Sequence, residues 1–210
     1  MVPDYIIATD ATVKMEPNHE SSSAYAAVIL NCKTKKYIVI GAPLHHRSIN
    51  YCECWAIFEA LRFIKKLTHP KKKNILIVSD SKLTVMALTE WSQHVWNTKD
   101  WYHWKKKSGE IFANQSSYRR VLNYINNSNL NVRITHIRSH TDPKDMNNVT
   151  RIKYYIANSG VQITTKQTQL LIKMNDMADQ RANKEREQYA KEKSSFIILK
   201  RRGDGLDHGD

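Results

Sequence analysis

Cysteine is scarce in this chain, with Cys32, Cys52 and Cys54 the only three in 210 residues. An odd number without framework spacing excludes a disulfide-stapled secreted scaffold and agrees with reduced thiols in a reducing compartment. Long apolar runs are missing as well. Ile75-Leu76-Ile77-Val78 is typical of the longest, far short of the roughly 20 residues a membrane helix needs. Met1-Val2-Pro3-Asp4 does not open a secretory signal, and no internal repeat is present. Acids are in deficit: 20 Asp and Glu face 33 Lys and Arg, a formal charge of +13. That balance suits a protein that meets a polyanion, so nucleic acid is the first partner to expect. These absences read as an intracellular chain of the cytoplasm or nucleus, with no membrane contact and no feature that calls for an obligate protein partner.

What is there is a globular composition. Hydrophobic residues make up 41% and charged residues 25%, close to soluble-protein averages, so neither disorder nor a fibrous fold fits. The length suits one domain with an insertion better than two domains. We expect that domain over 1–195, an inserted segment at about 141–173, and a basic then acidic mobile tail over 196–210.

Asp4–Thr9, Ala24–Leu30 and Tyr37–Ile40 are short β-branched or apolar runs divided by polar stretches, and read as three consecutive strands. From Asn50 to Leu67, Trp55, Ala56, Ala60, Phe63, Ile64 and Leu67 recur at helical spacing, and Pro70 follows. Asn74–Ser79 is the near-continuous apolar run of a buried central strand, and Ser81–Trp91 reads as helix. Arg119–Ile125 carries another helical pattern, Val132–Ile137 alternates as a fifth strand, and Met174–Lys193 predicts a charged helix. Between His140 and Asn175 the period is weak, with at most a short helix near Gln167–Lys173. The order is that of an α/β protein.

Four acids fall at element boundaries: Asp10 ends the first expected strand, Glu53 opens the first helix, Asp80 ends the fourth strand, and Asp179 lies early in the last helix. Alone, an Asp at a strand end is more often a turn or a helix cap. Gathered together, such acids repel one another and lose hydration, which costs stability unless cations neutralise them. Oxygen ligands of this kind suit Mg²⁺. Two ions roughly 3.5–4 Å apart activate a water and stabilise the leaving oxygen in displacement at phosphorus, which is nuclease chemistry. Zinc is not expected, because Cys52 and Cys54, two positions apart on a helix, point to different faces despite His45 and His46 nearby.

Ile7-Ala8-Thr9-Asp10-Ala11-Thr12 resembles the first motif of type 1 ribonuclease H. The stretch from Asn50 through Glu53 to Ala60-Leu61 resembles the second, and Val78-Ser79-Asp80-Ser81 the third. His136-Ile137-Arg138-Ser139-His140 and the Asn175, Asp179, Ala182 spacing match the two parts of the fourth. The resemblance spans roughly Asp4 to Ala190, in family order, and some of its wording is similar to viral and retroelement members; Ala11 stands where many members have glycine. It implies a five-stranded mixed sheet, three antiparallel strands then two parallel, flanked by helices, here with an insertion before the last one. It implies an endonuclease that hydrolyses the RNA strand of RNA–DNA hybrids to 5′-phosphate and 3′-hydroxyl ends. Asp10, Glu53, Asp80 and Asp179 would hold two Mg²⁺ ions, with Mn²⁺ able to substitute, and His140 would assist water positioning or product release. Asp176 remains the rival to Asp179, and Glu59 the weaker rival to Glu53.

Trp91 to Lys107 interleaves aromatics with bases, so that rings meet sugars or bases while lysines meet phosphates. It resembles the basic protrusion that many type 1 enzymes place against the DNA strand. Trp91, Trp104, Lys105, Lys106 and Lys107 are therefore candidate hybrid contacts, with Arg138 beside the fourth motif. Packing onto the domain is the alternative for each tryptophan. Asn50 matches a groove-touching position of the family and is also a candidate N-cap. Two other readings stay open: a relative that cuts another nucleic acid such as DNA junctions, and a silent domain that only binds nucleic acid.

Overall fold

Tyr5-Ile6-Ile7-Ala8 shows no polar alternation because both faces of its strand are covered. The computed structural model describes residues 1–15, 21–46, 48–68, 72–91 and 113–203, with side chains to 192. Within them β1 (Tyr5–Met15), β2 (Ser21–Asn31), β3 (Tyr37–Leu44), β4 (Lys73–Ser79) and β5 (Leu130–His136) form one sheet in the order β3-β2-β1-β4-β5. The β1–β2 and β2–β3 pairs are antiparallel; β1–β4 and β4–β5 are parallel. This is the mixed sheet expected from the sequence. The described helices are α1 (Ile49–Thr68), α2 (Lys82–Met86, continued by a π-helical turn at Ala87–Trp91), α3 (Gln115–Asn126), α4 (Met146–Asn158) and α5 (Thr165–Gly203).

Alternate strand residues feed two cores. Ile7, Ile29, Ile75 and Ile77 pack with Ile57, Leu61 and Ile64 of α1 and Val121 of α3. Ile6, Val28, Leu76 and Val78 face the other way, against Ile152 and Ile156 of α4 and Leu171 and Ile172 of α5. Each fully buried side chain of this size contributes about 1.5–3 kcal/mol. The strand ends are therefore held by a sheet buried on both sides.

Four expectations need correction. β1 does not end at Thr9 but runs to Met15, because β2 continues to pair with it as far as Met15↔Ser21; Asp10 thus sits inside a strand. Asn50 does not cap α1. Ser48 does, accepting from the Tyr51 N–H at 3.4 Å, and Asn50 lies in the first turn. The stretch after His140 is largely regular: Asp145 caps α4, accepting from the N–H groups of Asn147 and Asn148, and Val149, Ile152 and Ile156 are buried at helical spacing. Finally, Gln167–Lys173 is not a separate helix but the start of α5. That helix passes the expected ends at Lys193 and 195 and reaches Gly203, since no proline or glycine interrupts it earlier. The segment expected to be mobile from 196 thus begins as helix, and 204–210 lie outside the described residues.

Candidate active site

Thr9 and Ser79 form the last rung of the parallel β1–β4 ladder. The next residue on each strand is an acid, Asp10 and Asp80, at the carboxyl end where parallel strands part and open a crevice. Asp10 is 6% exposed and its Oδ1 accepts from the Ala11 N–H at 2.7 Å. Glu53, in the second turn of α1 and 4% exposed, points into the same place. Ligand oxygens of Asp10, Glu53 and Asp80 all lie within 4.8 Å of one another.

The electrostatics follow from that crowding. Burial, then the charge of Asp80, pushes Asp10 from 3.8 up to about 7, with the Ala11 N–H opposing. Burial, then Asp10 and Asp80, raises Glu53 well above the usual carboxylate range. Asp80 is raised by burial and by Asp179, while the Asn175 amide holds it down. None of the three has an ion-pair partner among the described residues. A largely buried, all-oxygen, anionic donor set with no salt-bridge partner among the described residues fits a hard divalent ion.

Asp179, half-buried on α5, lies outside that tight trio but close enough for its charge to raise both Asp10 and Asp80. Its Oδ1 accepts from Asn183 Nδ2 at 2.8 Å. Asp176 acts on neither of those two carboxylates; burial raises its own, against the opposing His140. His140 is exposed, at a left-handed φ of 52°, and faces Asp176 and Asp179 across a cleft of roughly 410 Å³. α4 thus lies between His140 and Asp179 in sequence without parting them.

The other candidates are scattered. Arg138 is exposed on the loop after β5. Trp91 is half-buried and packs against the α1-side core, the placement of a packing residue. Asn50 is half-buried in the first turn of α1. Trp104, Lys105, Lys106 and Lys107 lie outside the described residues. Glu59 is held by Arg62 at 2.7 Å, away from the trio. Burial pushes the Cys52 thiol up to about 11 and raises Cys54 further, as for reduced thiols packed in a core.

Three neighbours of the acids lie within the motif stretches but receive no role from them. Ser79, fully buried, donates to Glu53 Oε2 at 3.5 Å and accepts from the Ser81 N–H. His136 Nε2 lies 3.1 Å from the Asp80 carbonyl. Asn175 is 3% exposed, acts on Asp80 by lowering its pKa, and leaves its Oδ1 without a partner among the described residues. Its four-residue offset from Asp179, which puts both on one helix face, was the available signal.

Comparison with known proteins agrees with this fold. The model of the family described as RNase H matches residues 3–151, a span that includes Asp10, Glu53, Asp80 and His140 but stops before Asp176 and Asp179. The fold is similar to the solution structure of the PFV RNase H domain, with a TM-score of 0.61 at 15% identity, covering 89% of this chain and 96% of that one. It is similar to LC11-RNase H1 isolated from compost, with a TM-score of 0.54 at 14% identity, covering 90% and 99%. It is also similar to part of the foamy viral protease-reverse transcriptase solved with an RNA/DNA hybrid, with a TM-score of 0.57 at 14% identity, covering 87% of this chain. This chain spans about a fifth of that polypeptide, 20%. No curated protein matches.

Proposed function

The chain belongs to the RNase H family, and from that premise we propose that it is an endonuclease hydrolysing the RNA strand of RNA–DNA hybrids to 5′-phosphate and 3′-hydroxyl ends. The observation that carries this reading is the trio of Asp10, Glu53 and Asp80, with oxygens within 4.8 Å of one another and no salt-bridge partner among the described residues. The hybrid bound to the foamy viral relative supports the choice of substrate.

Asp10, Glu53, Asp80 and Asp179 would hold two Mg²⁺ ions, which supply charge neutralisation at phosphorus and a water acidified for in-line attack. The protein's own part is positioning. The Thr9↔Ser79 rung fixes the spacing of Asp10 and Asp80, Ser79 holds Glu53, and Asn175 holds Asp80. His140, exposed across the cleft from Asp179, is placed to order water or hand a proton to the departing product. Arg138, Asn50 and the segment of Trp104, Lys105, Lys106 and Lys107 would contact the hybrid, the lysines through phosphates.

Cleavage of four labelled substrates, hybrid, duplex DNA, duplex RNA and single-stranded RNA, with Mg²⁺ and with chelator, tests the proposal. It requires cutting of the hybrid's RNA strand alone, with metal alone. Cutting of duplex DNA with the hybrid spared, or binding without cutting under every metal condition, would replace it with one of the two other readings.

A further inference from the structure

β5 closes one end of the strand order, so one of its edges has no strand partner among the described residues. Which backbone groups that edge presents follows from two bonds. The Ile137 N–H donates to the Ser79 carbonyl, and the Lys73 N–H donates to the Asn129 carbonyl. Odd-numbered residues along β5 therefore turn their backbone groups toward β4. Backbone direction alternates along a strand, so Val132, Ile134 and His136 turn N–H and C=O toward the open side. The Arg133 guanidinium reaches back to the Val132 carbonyl at 3.3 Å, as a group on that open side can.

This edge does not face bulk water on a convex surface. It lies in a groove of roughly 1180 Å³ between α2 and α3 on one side and α4 on the other, larger than the roughly 300–1,000 Å³ of small-molecule pockets. Leu122, Ile125 and Val132, each half-buried, are among its apolar lining residues, and Tyr155 of α4 stands on its wall, 57% exposed. The charge is one-sided: Lys82, Arg133, Arg138 and Arg151 line it against one acid, Glu90. An open strand edge is a template for pairing that proteins normally blunt, and here it is left in an apolar-lined channel ringed by cations.

We propose that this groove docks an acidic, extended peptide segment of a partner protein, which adds to β5 as a sixth strand. Its main chain pairs with Val132, Ile134 and His136, its apolar side chains meet the groove lining, and its Asp and Glu side chains meet Lys82, Arg133 and Arg151. Main-chain pairing supplies affinity in this mode and the alternate side chains supply specificity. A nucleic-acid strand shares the charge preference but has no use for an unpaired strand edge.

The test uses the whole chain and fluorescence anisotropy with a capped peptide of about eight residues, alternating valine and glutamate and matched to β5 at roughly 3.3 Å per residue. Two further versions carry N-methyl groups on one or the other alternate set of amides, and a fourth replaces glutamate by lysine. The parent peptide should bind more weakly as salt rises. One N-methylated version, and only one, should lose about tenfold or more, because one edge of the added strand faces β5. The lysine version should not bind. Arg133→Glu with Arg151→Glu should weaken the parent peptide about tenfold or more while hybrid cleavage is unchanged. Equal binding of both N-methylated versions and the parent, binding of the lysine version, or absence of binding by all four would overturn the proposal. So would displacement of the parent peptide by single-stranded RNA or DNA that the same double variant releases, since the groove would then be a nucleic-acid site.

Discussion

The Asn175 side-chain amide, 3% exposed, holds the Asp80 carboxyl down against the upward push of burial, and its own Oδ1 is left without a partner among the described residues. A buried carbonyl that forgoes a hydrogen bond costs stability, so the arrangement belongs to the site. Asn175→Ala should reduce cleavage about 10–100-fold, the usual effect of losing an outer partner of a metal ligand, and raise the Mg²⁺ concentration needed for half-maximal rate. A lowered melting temperature with an unchanged Mg²⁺ titration would make Asn175 a packing residue only.

Asp10→Asn and Asp80→Asn should each abolish cleavage while preserving the fold. Removing one of three crowded anions relieves repulsion, so the metal-free melting temperature should rise rather than fall. Asp179→Asn should be milder, since Asp179 stands outside the trio, and Asp176→Asn milder still. Greater damage from Asp176→Asn in the same cleavage assay would move the fourth acid to Asp176.

The pH dependence of stability has a defined sign. The folded-state value for Asp10 is raised from 3.8 to about 7 by burial and by Asp80, so the folded protein holds that proton more tightly than the unfolded chain does. The stabilisation is complete below about 4 and is lost as pH rises through about 7. Metal-free protein should therefore melt at falling temperature between about pH 5 and 8, and Mg²⁺, which takes the proton's place, should flatten the curve. Calorimetric melts with Mg²⁺ and with chelator measure this; a metal-free melting temperature that climbs over that range would contradict the crowded-acid picture.

Lys105, Lys106 and Lys107, outside the described residues, carry a prediction from sequence alone. Replacing all three by alanine should raise KM for the hybrid at moderate salt with a smaller change in kcat, because binding common to ground and transition states appears in KM. Each lost phosphate contact should also flatten the salt dependence of binding by about 0.9 units of slope. Unchanged slope and KM across a salt series would leave the segment without a role in hybrid binding.

Strong periodicity marks what was legible beforehand. The unbroken Ile75-Leu76-Ile77-Val78 run reads as a strand covered on both faces, and α1 shows its inward face through Ala56, Ala60 and Ile64, all fully buried. The acids were legible because motif order joins residues that local pattern cannot. α4 was hidden because Tyr154 and Tyr155, 63% and 57% exposed, place apolar residues on its outer face and blur the buried set of Val149, Ile152 and Ile156. Asp10 looked like a strand end because the charge follows an apolar run, whereas β1 is extended by pairing with β2, a long-range fact. Ser79, His136 and Asn175 touch the acids only through contacts between distant segments, which no local pattern encodes.

The most direct measurement follows both strands of an end-labelled hybrid, with product ends identified, in a Mg²⁺ titration of the native protein and of Asp10→Asn. The account predicts cuts in the RNA strand with 5′-phosphate and 3′-hydroxyl ends, an intact DNA strand, no product in chelator, and none at any Mg²⁺ concentration for Asp10→Asn. Metal-independent cleavage, cuts in the DNA strand, or near-native rates in Asp10→Asn would contradict it.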